Sequence, residues 1–388
     1  MNRGSATLKC ALYEAGTLPG LLLSMSVDQA SDSVGRLKIT DPGGTPLFNS
    51  PVDGEDSNAA LEVMFAWLSE HGFLNRLGAA GHRLVQGGPR YKDPQRITTQ
   101  FLAEIEQLVP LDPDHLPAAI RGIQFITGQF PRLPQVACFD TAFHRSLPKV
   151  ARMYALPQHL YDEGIYRYGF HGLSYEYVMG ELQALEGKLA SGRVILAHLG
   201  SGASMVAVKD GKSIDTSMGF TPLEGLVMGT RSGDLDPGVL LNLIRQQKMS
   251  AKEINTLVNK ESGLLGVSET SGDMRVLLDK MKDDARCGEA VDLFCYRAKK
   301  YIGAYAAVLG GLDVLVFAGG IGENAPAIRE RICNGLDFLG IRLDAGSNEA
   351  NAALLSPPES RVKVRVIKTN EDLMIARHVW STLGSTST

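Results

Sequence analysis

The sequence feature that most constrains the fold is a glycine-rich loop set between two strand-like runs. The apolar run Val194–His198 leads into a short loop with Gly200 and Gly202, and a second apolar run follows at Met205–Val208. Because glycine lets backbone N–H groups approach an anion closely, the loop predicts a site for a nucleotide phosphate. Taken alone, the loop is better explained as a glycine-rich hairpin of no special role, and the motifs described below reverse that preference.

A related pattern stands at the start of the chain. The loop Gly4–Thr7 leads into the strand-like run Cys10–Tyr13, and strands then alternate with helices, including one helix expected over residues 57–79. Since 388 residues exceed the usual size of a single core, we expect two domains. The repetition predicts two related α/β halves, each offering a phosphate loop to a shared cleft.

Charge and cysteine content narrow the class of protein. The formal net charge of −4 at pH 7 does not favour nucleic acid or an anionic membrane as a partner. The five cysteines include no CxxC pair, so neither a disulfide framework nor a zinc site is indicated. No apolar run reaches the length of a membrane span and no signal peptide is visible, so we expect a cytoplasmic location.

Two common nucleotide-binding motifs are absent. Gly211–Ser213 matches the end of a Walker A motif, but Val206 stands where the upstream glycine is required. The glycines of residues 318–324 lack GxGxxG spacing, which disfavours a dinucleotide-binding fold. We expect that run to be a loop, followed by a helix with Pro326 in its first turn.

Residue types suited to phosphoryl transfer stand at predicted strand ends and in loops. The reaction needs cations and hydrogen-bond donors on the transferred group, and an oxygen ligand for a metal ion. Each residue taken alone could instead be structural, as a helix cap or a surface charge. The candidates are Arg83, Asp140, His171, His198, Arg231 and Glu371.

Four longer motifs are more specific than any single residue. They are Phe139–His144, Arg167–Gly172, Asp215–Pro237 and Thr369–Arg377. Together they resemble the acetate kinases of the acetate and propionate kinase family, in the same order and over essentially the whole chain.

The resemblance implies an α/β, two-domain fold of the sugar kinase, Hsp70 and actin type (ribonuclease H-like), with duplicated halves around an interdomain cleft. Residues 1–141 with 372–388 would form the N-terminal domain, and residues 142–371 the C-terminal nucleotide-binding domain. The implied reaction is the reversible, direct in-line transfer of the γ-phosphoryl group of ATP to acetate, giving acetyl phosphate and ADP. The implied cofactor is Mg²⁺ or Mn²⁺, and the implied assembly is a homodimer.

The resemblance also implies roles for single positions. Catalytic positions match Arg83, which grips the carboxylate, Arg231 and His171, which contact the phosphoryl group, and Asp140, which orients the site. The metal-associated positions match Asn2 and Glu371. The small apolar pocket for the acetate methyl group matches Val85, Leu111, Phe170 and Pro222. The nucleotide-binding positions match Lys9, His198, Gly200, Ser201, Gly202, Asp273, Met274, Arg275, Gly320, Ile321 and Asn324, with Ser5 and Thr7 on the first phosphate loop.

Several positions depart from the family pattern. Family members carry a short apolar strand before the asparagine matched by Asn2, and most of that strand is absent here. Other departures are Ala6, Gln86, Leu173, Tyr175, Ser201 and Lys368. A kinase for propionate or another short-chain carboxylate is therefore one alternative, and a non-catalytic actin-like nucleotide-binding protein is another. Retention of Arg83, His171 and Arg231 argues against the second, because ATP binding alone would not need them.

Overall fold

Strands and helices alternate along most of the chain. The computed structural model describes residues 1–3, 7–28, 34–53 and 59–384. The strands are β1 Asn2–Arg3, β2 Thr7–Tyr13, β3 Leu21–Asp28, β4 Val34–Thr40, β5 Pro46–Asp53, β6 Ala80–Leu84, β7 Gln95–Arg96, β8 Gln135–Phe139, β9 Arg193–Leu199, β10 Ala203–Lys209, β11 Lys212–Thr216, β12 Val314–Ala318 and β13 Lys363–Val366. The helices are α1 Ala59–Glu70, α2 Thr99–Glu106, α3 Leu116–Gln129, α4 Lys149–Arg152, α5 Gln158–Asp162, α6 Gly172–Glu186, α7 Pro237–Gln246, α8 Ala251–Lys260, α9 Gly263–Ser268, α10 Met274–Lys280, α11 Ala285–Leu309, α12 Gly319–Asn324, α13 Pro326–Cys333, α14 Ala345–Glu349 and α15 Glu371–Gly384.

The chain divides into two compact units. The first comprises Met1–Ala142 together with the chain from Asn370, and the second comprises Phe143–Thr369. Within the described part of the chain, no helix is both long and apolar enough to cross a membrane.

The first unit contains an antiparallel sheet in the order β1-β2-β3-β4-β5 and a three-stranded sheet in the order β6-β8-β7. In β3, Leu23, Met25 and Val27 are buried in alternation, as a strand with one face on a core requires. They pack in one cluster with Leu61 and Met64 of α1. In the smaller sheet β6 and β8 run parallel, so their carboxyl ends lie at the same edge.

The start of the chain links these two sheets. Among the described residues, strand β1 pairs with β2 through Asn2 and Arg3. The backbone N–H of Arg83 donates to the Met1 carbonyl at 2.9 Å, and the backbone nitrogen of Met1 donates to the Gly81 carbonyl at 2.7 Å. Beyond Met1 an open groove of about 440 Å³ is lined by residues of β2, β6 and α15. Residues 4–6 of the first expected phosphate loop lie outside the described residues.

The second unit is built on a mixed sheet in the order β11-β10-β9-β12-β13. Strands β9 and β10 pair antiparallel from Leu199↔Ala203 onwards, and β12 runs parallel to β9. All residues of β12 are buried, which is typical of a strand covered on both faces. Helix α6 packs on one face of the sheet, and α11 contacts β9 and β10. The carboxyl ends of β9 and β12 therefore bring the loop after β9 and the start of α12 to one edge of the sheet.

Two expectations about single elements need correction. The helix expected over 57–79 is α1, which ends at Glu70; Gly72 follows with φ +73°, the left-handed conformation that commonly ends a helix. Residues 319–324, expected to be a loop, form the helix α12, and α13 then begins at Pro326 as expected. The strand expected over 135–139 is β8 with the same bounds.

Candidate active site

In the first unit, Arg83 forms a two-pronged ion pair with Asp140. Arg83 lies near the end of β6 and Asp140 directly follows β8, its parallel neighbour, so the two side chains emerge at one sheet edge. Arg83 Nε donates to Asp140 Oδ1 at 2.8 Å, and Nη2 donates to Oδ2 at 2.5 Å. This planar arrangement fixes the guanidinium more firmly than a single contact would.

Asn2 and Glu371 complete this cluster. Arg83 Nη1 donates to Asn2 Oδ1 at 2.9 Å, and Asn2 Nδ2 donates to Glu371 Oε2 at 2.7 Å. Glu371 Oε2 lies 3.9 Å from Arg83 Nε. Burial alone would lower the pKa of Arg83, but Asp140 and Glu371 outweigh it and raise the pKa. In this cluster the Arg83 guanidinium lies beside the carboxylates of Asp140 and Glu371. Asn2 is hydrogen-bonded to both Arg83 and Glu371.

The other predicted residues of this unit differ in their exposure to solvent. Val85 is buried at 7 % exposure, and Leu111 is half-buried at the end of a 3₁₀ turn. Lys9 is exposed on β2, opposite Asn2 in the strand register. Gln86, one of the departures, is fully buried; its Oε1 accepts from the Gly88 N–H at 2.9 Å, while its Nε2 has no partner among the described residues.

In the second unit, two histidines stack beside the glycine-rich loop. The rings of His171 and His198 are 4.3 Å apart between centroids and inclined by 22°. His198 is on β9, just before the loop, and His171 is the residue that precedes α6. His171 has φ +58°, a left-handed conformation that is uncommon outside glycine and often marks a functional position.

Gly202 is the point where the loop approaches the charged side chains. A Cβ atom placed on Gly202 would lie 2.8 Å from Arg231 Nη2 and 3.4 Å from His171 Nε2. Any larger residue would therefore occupy the space in front of the arginine. Arg231 is held from its other side, where Nη1 donates to the Pro222 carbonyl at 2.6 Å. The loop, the arginine and the histidine together form a cationic, hydrogen-bonding recess suited to an oxyanion.

Arg167, from the second specific motif, organises the segment that leads to Pro222. Its Nη1 donates to the carbonyls of three consecutive residues, 216–218, at 3.1 to 3.2 Å. Its Nη2 donates to Glu224 Oε1 at 2.6 Å, and Tyr154 donates to Glu224 Oε2 at 2.5 Å. This network gives the motif a structural role, since it fixes the backbone that accepts from Arg231.

In the second unit, the residues predicted to bind the nucleotide fall into three local groups. Ser201 accepts from the Gly229 N–H through its carbonyl at 2.9 Å. Asp273 and Arg275 pair with each other at 2.5 Å at the start of α10, where Met274 is buried. Gly320, Ile321 and Asn324 lie on α12, where the Asn324 amide donates to the Gly320 carbonyl at 2.9 Å. The backbone nitrogen of Gly320 is 4.0 Å from a Cβ placed on Gly200, so α12 begins beside the loop.

Phe170 and Pro222 were predicted to line the acetate pocket, and in the second unit the backbone carbonyl of each accepts a hydrogen bond from a side chain. Phe170 is buried at 1 % exposure, and its carbonyl accepts from His144 Nε2 at 2.9 Å. Burial, with a smaller contribution from the nearby cations of Arg152 and Arg167, lowers the pKa of His144 to about 4, although the hydrogen bond to the Phe170 carbonyl opposes the shift. His144 is therefore neutral at pH 7 and serves as a structural residue.

Sequence reasoning missed the hydroxyl groups that hold the two histidines. His171 Nδ1 lies 2.8 Å from Ser204 Oγ, and His198 Nδ1 lies 2.8 Å from Ser174 Oγ. The position of Ser204 directly after the glycine-rich loop, on β10, was a usable signal, but its contact with Tyr175 joins positions 29 residues apart. Only the packing of α6 on the sheet brings them together.

The described residues contain no group of three or more His, Cys, Asp or Glu side chains placed to hold a metal ion. Asn2 and Glu371 still offer oxygen ligands, the type that Mg²⁺ prefers. Magnesium is commonly held by one or two carboxylates together with substrate phosphates, so this sparse donor set fits such an ion.

Comparisons with known proteins agree with an enzyme built for anionic substrates. The model of the acetokinase family matches residues 1–377. An acetate kinase of Rhodopseudomonas palustris is 45 % identical over 387 residues, covering 98 % of this chain and 96 % of that protein. The acetate kinase structure from Porphyromonas gingivalis is 40 % identical with a TM-score of 0.87, covering 98 % of each chain. A propionate kinase from Francisella tularensis is 37 % identical with a TM-score of 0.90, covering 97 % of each chain.

The fold, together with the arginine and histidine side chains suited to bind anions, therefore defines a phosphotransferase of the actin-like α/β class. Within that class, the chain belongs to the acetokinase family. The predicted family, enzyme class and fold class are confirmed by these comparisons.

Proposed function

We propose that this chain catalyses the reversible transfer of the γ-phosphoryl group of ATP to acetate, giving acetyl phosphate and ADP. One observation carries the proposal beyond family membership: Arg231 Nη2 and His171 Nε2 both face Gly202, at 2.8 and 3.4 Å from a Cβ placed there. A phosphoryl group at this loop would meet a cation and an imidazole at once. Such preorganised donors stabilise the charge that spreads over the transferring group.

Arg83 is the proposed ligand of the acetate carboxylate. Its two hydrogen bonds to Asp140 hold the guanidinium in one orientation. Asp140, at 1 % exposure, acts through Arg83 as an orienting group. The proposed transfer is direct and in line, with the acetate oxygen attacking the γ-phosphorus and the ADP oxygen leaving.

The acyl preference is the finer part of the proposal. Val85, Leu111, Phe170 and Pro222 are the proposed residues around the methyl group. A small apolar pocket discriminates by only about 1–3 kcal/mol per methylene, so some propionate turnover is expected. The likeness to a solved propionate kinase supports propionate as the second candidate substrate.

Magnesium is the proposed metal ion, with Mn²⁺ as a substitute. Glu371 and Asn2 would hold it together with oxygens of the nucleotide phosphates. When bound, the ion would neutralise charge on those phosphates. Asn2 also links Arg83 to Glu371, so it keeps the carboxylate oriented whichever metal is used.

A homodimer in the cytoplasm is also proposed. All five cysteines are free thiols and buried, which suits a reducing compartment.

Helix α7 has no buried residue and exposes Val239, Leu241 and Ile244, so it offers an apolar face to a second copy. Light scattering on the purified chain would give the mass of one or two subunits.

The test is a hydroxamate assay of acyl phosphate formation with ATP and acetate, propionate or butyrate. Acetate should give the highest kcat/KM, and a clearly higher value for propionate would reassign the acceptor. Arg231→Ala should lower kcat by about 10²–10³ while ATP affinity is largely kept, because a positioned donor to the transferring group is removed. Unchanged turnover in Arg231→Ala would contradict the mechanism.

A further inference from the structure

Each of the two stacked histidines stands at the end of a chain of hydroxyl groups. On the first side, Tyr175 Oη lies 2.5 Å from Ser204 Oγ, which lies 2.8 Å from His171 Nδ1. Each hydroxyl carries one proton to donate. The direction in which these protons point therefore decides which nitrogen of His171 is protonated.

Burial sets the direction of this first chain. Tyr175 is 1 % exposed and Ser204 fully buried, and Ser204 is the partner that the described residues give to the Tyr175 hydroxyl. If His171 Nδ1 carried a proton, it would donate to Ser204, and either the phenol proton of Tyr175 or the hydroxyl proton of Ser204 would be left without an acceptor in this chain. A buried donor without an acceptor is strongly disfavoured. The reverse order satisfies every group: Tyr175 donates to Ser204, and Ser204 donates to an unprotonated Nδ1.

The second chain has the same form on different elements. Thr369 Oγ1, just before α15, donates to Ser174 Oγ at 2.8 Å. Ser174, fully buried on α6, lies 2.8 Å from His198 Nδ1. Because Ser174 accepts from Thr369, its own proton is directed to the histidine. His198 Nδ1 is then also an acceptor, and Nε2 of the same ring carries the proton.

The other ring nitrogens face the glycine loop. A Cβ on Gly202 would be 3.4 Å from His171 Nε2, and a Cβ on Gly200 would be 3.9 Å from His198 Nε2. The rings are stacked 4.3 Å apart, a separation at which two imidazolium cations would repel each other. Two neutral rings avoid that repulsion and still present two N–H donors side by side.

We propose, building on the function proposed above, that the hydroxyl chains hold His171 and His198 as neutral imidazoles protonated at Nε2. The pair then donates two parallel hydrogen bonds to phosphoryl oxygens at the loop, while Arg231 supplies the positive charge. Tyr175 and Thr369 are positioning residues, since they act through Ser204 and Ser174 respectively.

The direct test is a long-range ¹H–¹⁵N correlation spectrum of the full chain labelled at histidine, which separates protonated from unprotonated ring nitrogens. His171 and His198 should each show an unprotonated Nδ1 and a protonated Nε2, with assignment from the His171→Gln and His198→Gln variants. His144 is an internal reference, because its Nε2 faces the Phe170 carbonyl at 2.9 Å and must donate. A protonated Nδ1 on either ring overturns the proposal.

Tyr175→Phe tests whether the relay matters for the reaction. The His171 signals should shift towards a mixture of the two tautomers, those of His198 should stay, and kcat should fall about 3- to 10-fold, the range worth one hydrogen bond, with KM for acetate kept. Tyr305→Phe is the matched control: its buried hydroxyl has no partner among the described residues, so neither spectrum nor kcat should change.

A Tyr175→Phe protein with the wild-type His171 spectrum and wild-type kcat would overturn the positioning role. The matching change at the other ring is Thr369→Val, which should affect His198 alone. If the wild-type chain phosphorylates no carboxylate, the proposed function fails, but the spectrum still decides the tautomers.

Discussion

Gly202 shows how much of the candidate chemistry depends on one missing side chain. The nearest atom to a Cβ at this position is the end of Arg231, at 2.8 Å, and the next is on His171. The end of an arginine can move at little cost, so the constraint at Gly202 concerns the site more than the fold. A substitution at Gly202 should therefore affect catalysis and leave the stability of the fold largely unchanged.

Gly202→Ala should lower kcat about tenfold or more while the free energy of unfolding changes by less than about 1 kcal/mol. The added methyl group pushes Arg231 from the loop, and a displaced donor loses part of the stabilisation that full removal would cost. Steady-state assays and urea denaturation measure the two quantities. Gly303→Ala, in α11 with nothing within 4 Å of its Cβ, is the control and should raise stability with kcat unchanged. An equal loss of stability and kcat in Gly202→Ala would contradict this separation.

At the scale of elements, the periodic segments could be predicted from the sequence and the tertiary contacts could not. Alternating and fully apolar runs predicted the strands β3, β8, β9 and β12, because a strand buried on one or both faces requires apolar residues at regular positions in the sequence. Helix α12 was missed because its three glycines disfavour a helix, and only its place after a buried strand makes it one. The hydroxyl chains to the histidines were missed because they depend on how α6 packs on the sheet.

The groove beyond Met1 predicts that strand β1 can be lengthened at its amino-terminal end. Strand β1 pairs with β2 only as far as Lys9, although β2 continues to Tyr13, and Met1 is already bonded to β6. A variant with four apolar residues placed before Met1 should extend β1 through the groove, between β2 and β6 and over Ile375 and Val379 of α15. Burial of three or four apolar side chains, less the entropy of ordering them, should raise the free energy of unfolding by about 1–3 kcal/mol.

Urea denaturation of the extended chain measures this gain. The control is an extension of the same length made of serine, glycine and asparagine, which can pair through its backbone but buries little apolar surface. Equal stability of the two extended proteins would show that the groove does not accept an apolar strand.

At the scale of the whole molecule, each unit contains a buried histidine that folding keeps neutral. Burial lowers the pKa of His82 in the first unit to about 3, and the pKa of His144 in the second to about 4. His82 Nε2 lies 2.7 Å from Gln135 Oε1, so it too is a structural residue. In the unfolded chain both rings take up a proton near pH 6.5.

Stability should therefore fall as the pH drops below about 6.5, because the unfolded chain then binds protons that the folded chain does not. Each histidine contributes about 1.4 kcal/mol per pH unit, until the pH reaches its folded pKa. For His144 the loss should run from about pH 6.5 to about pH 4. Urea denaturation at pH 7, 6 and 5 measures the slope. His144→Gln keeps a donor for the Phe170 carbonyl and cannot titrate, so it should flatten the slope by the share of one histidine. A variant with the full wild-type slope would show that His144 is already protonated in the folded protein, despite its burial and the nearby cations of Arg152 and Arg167.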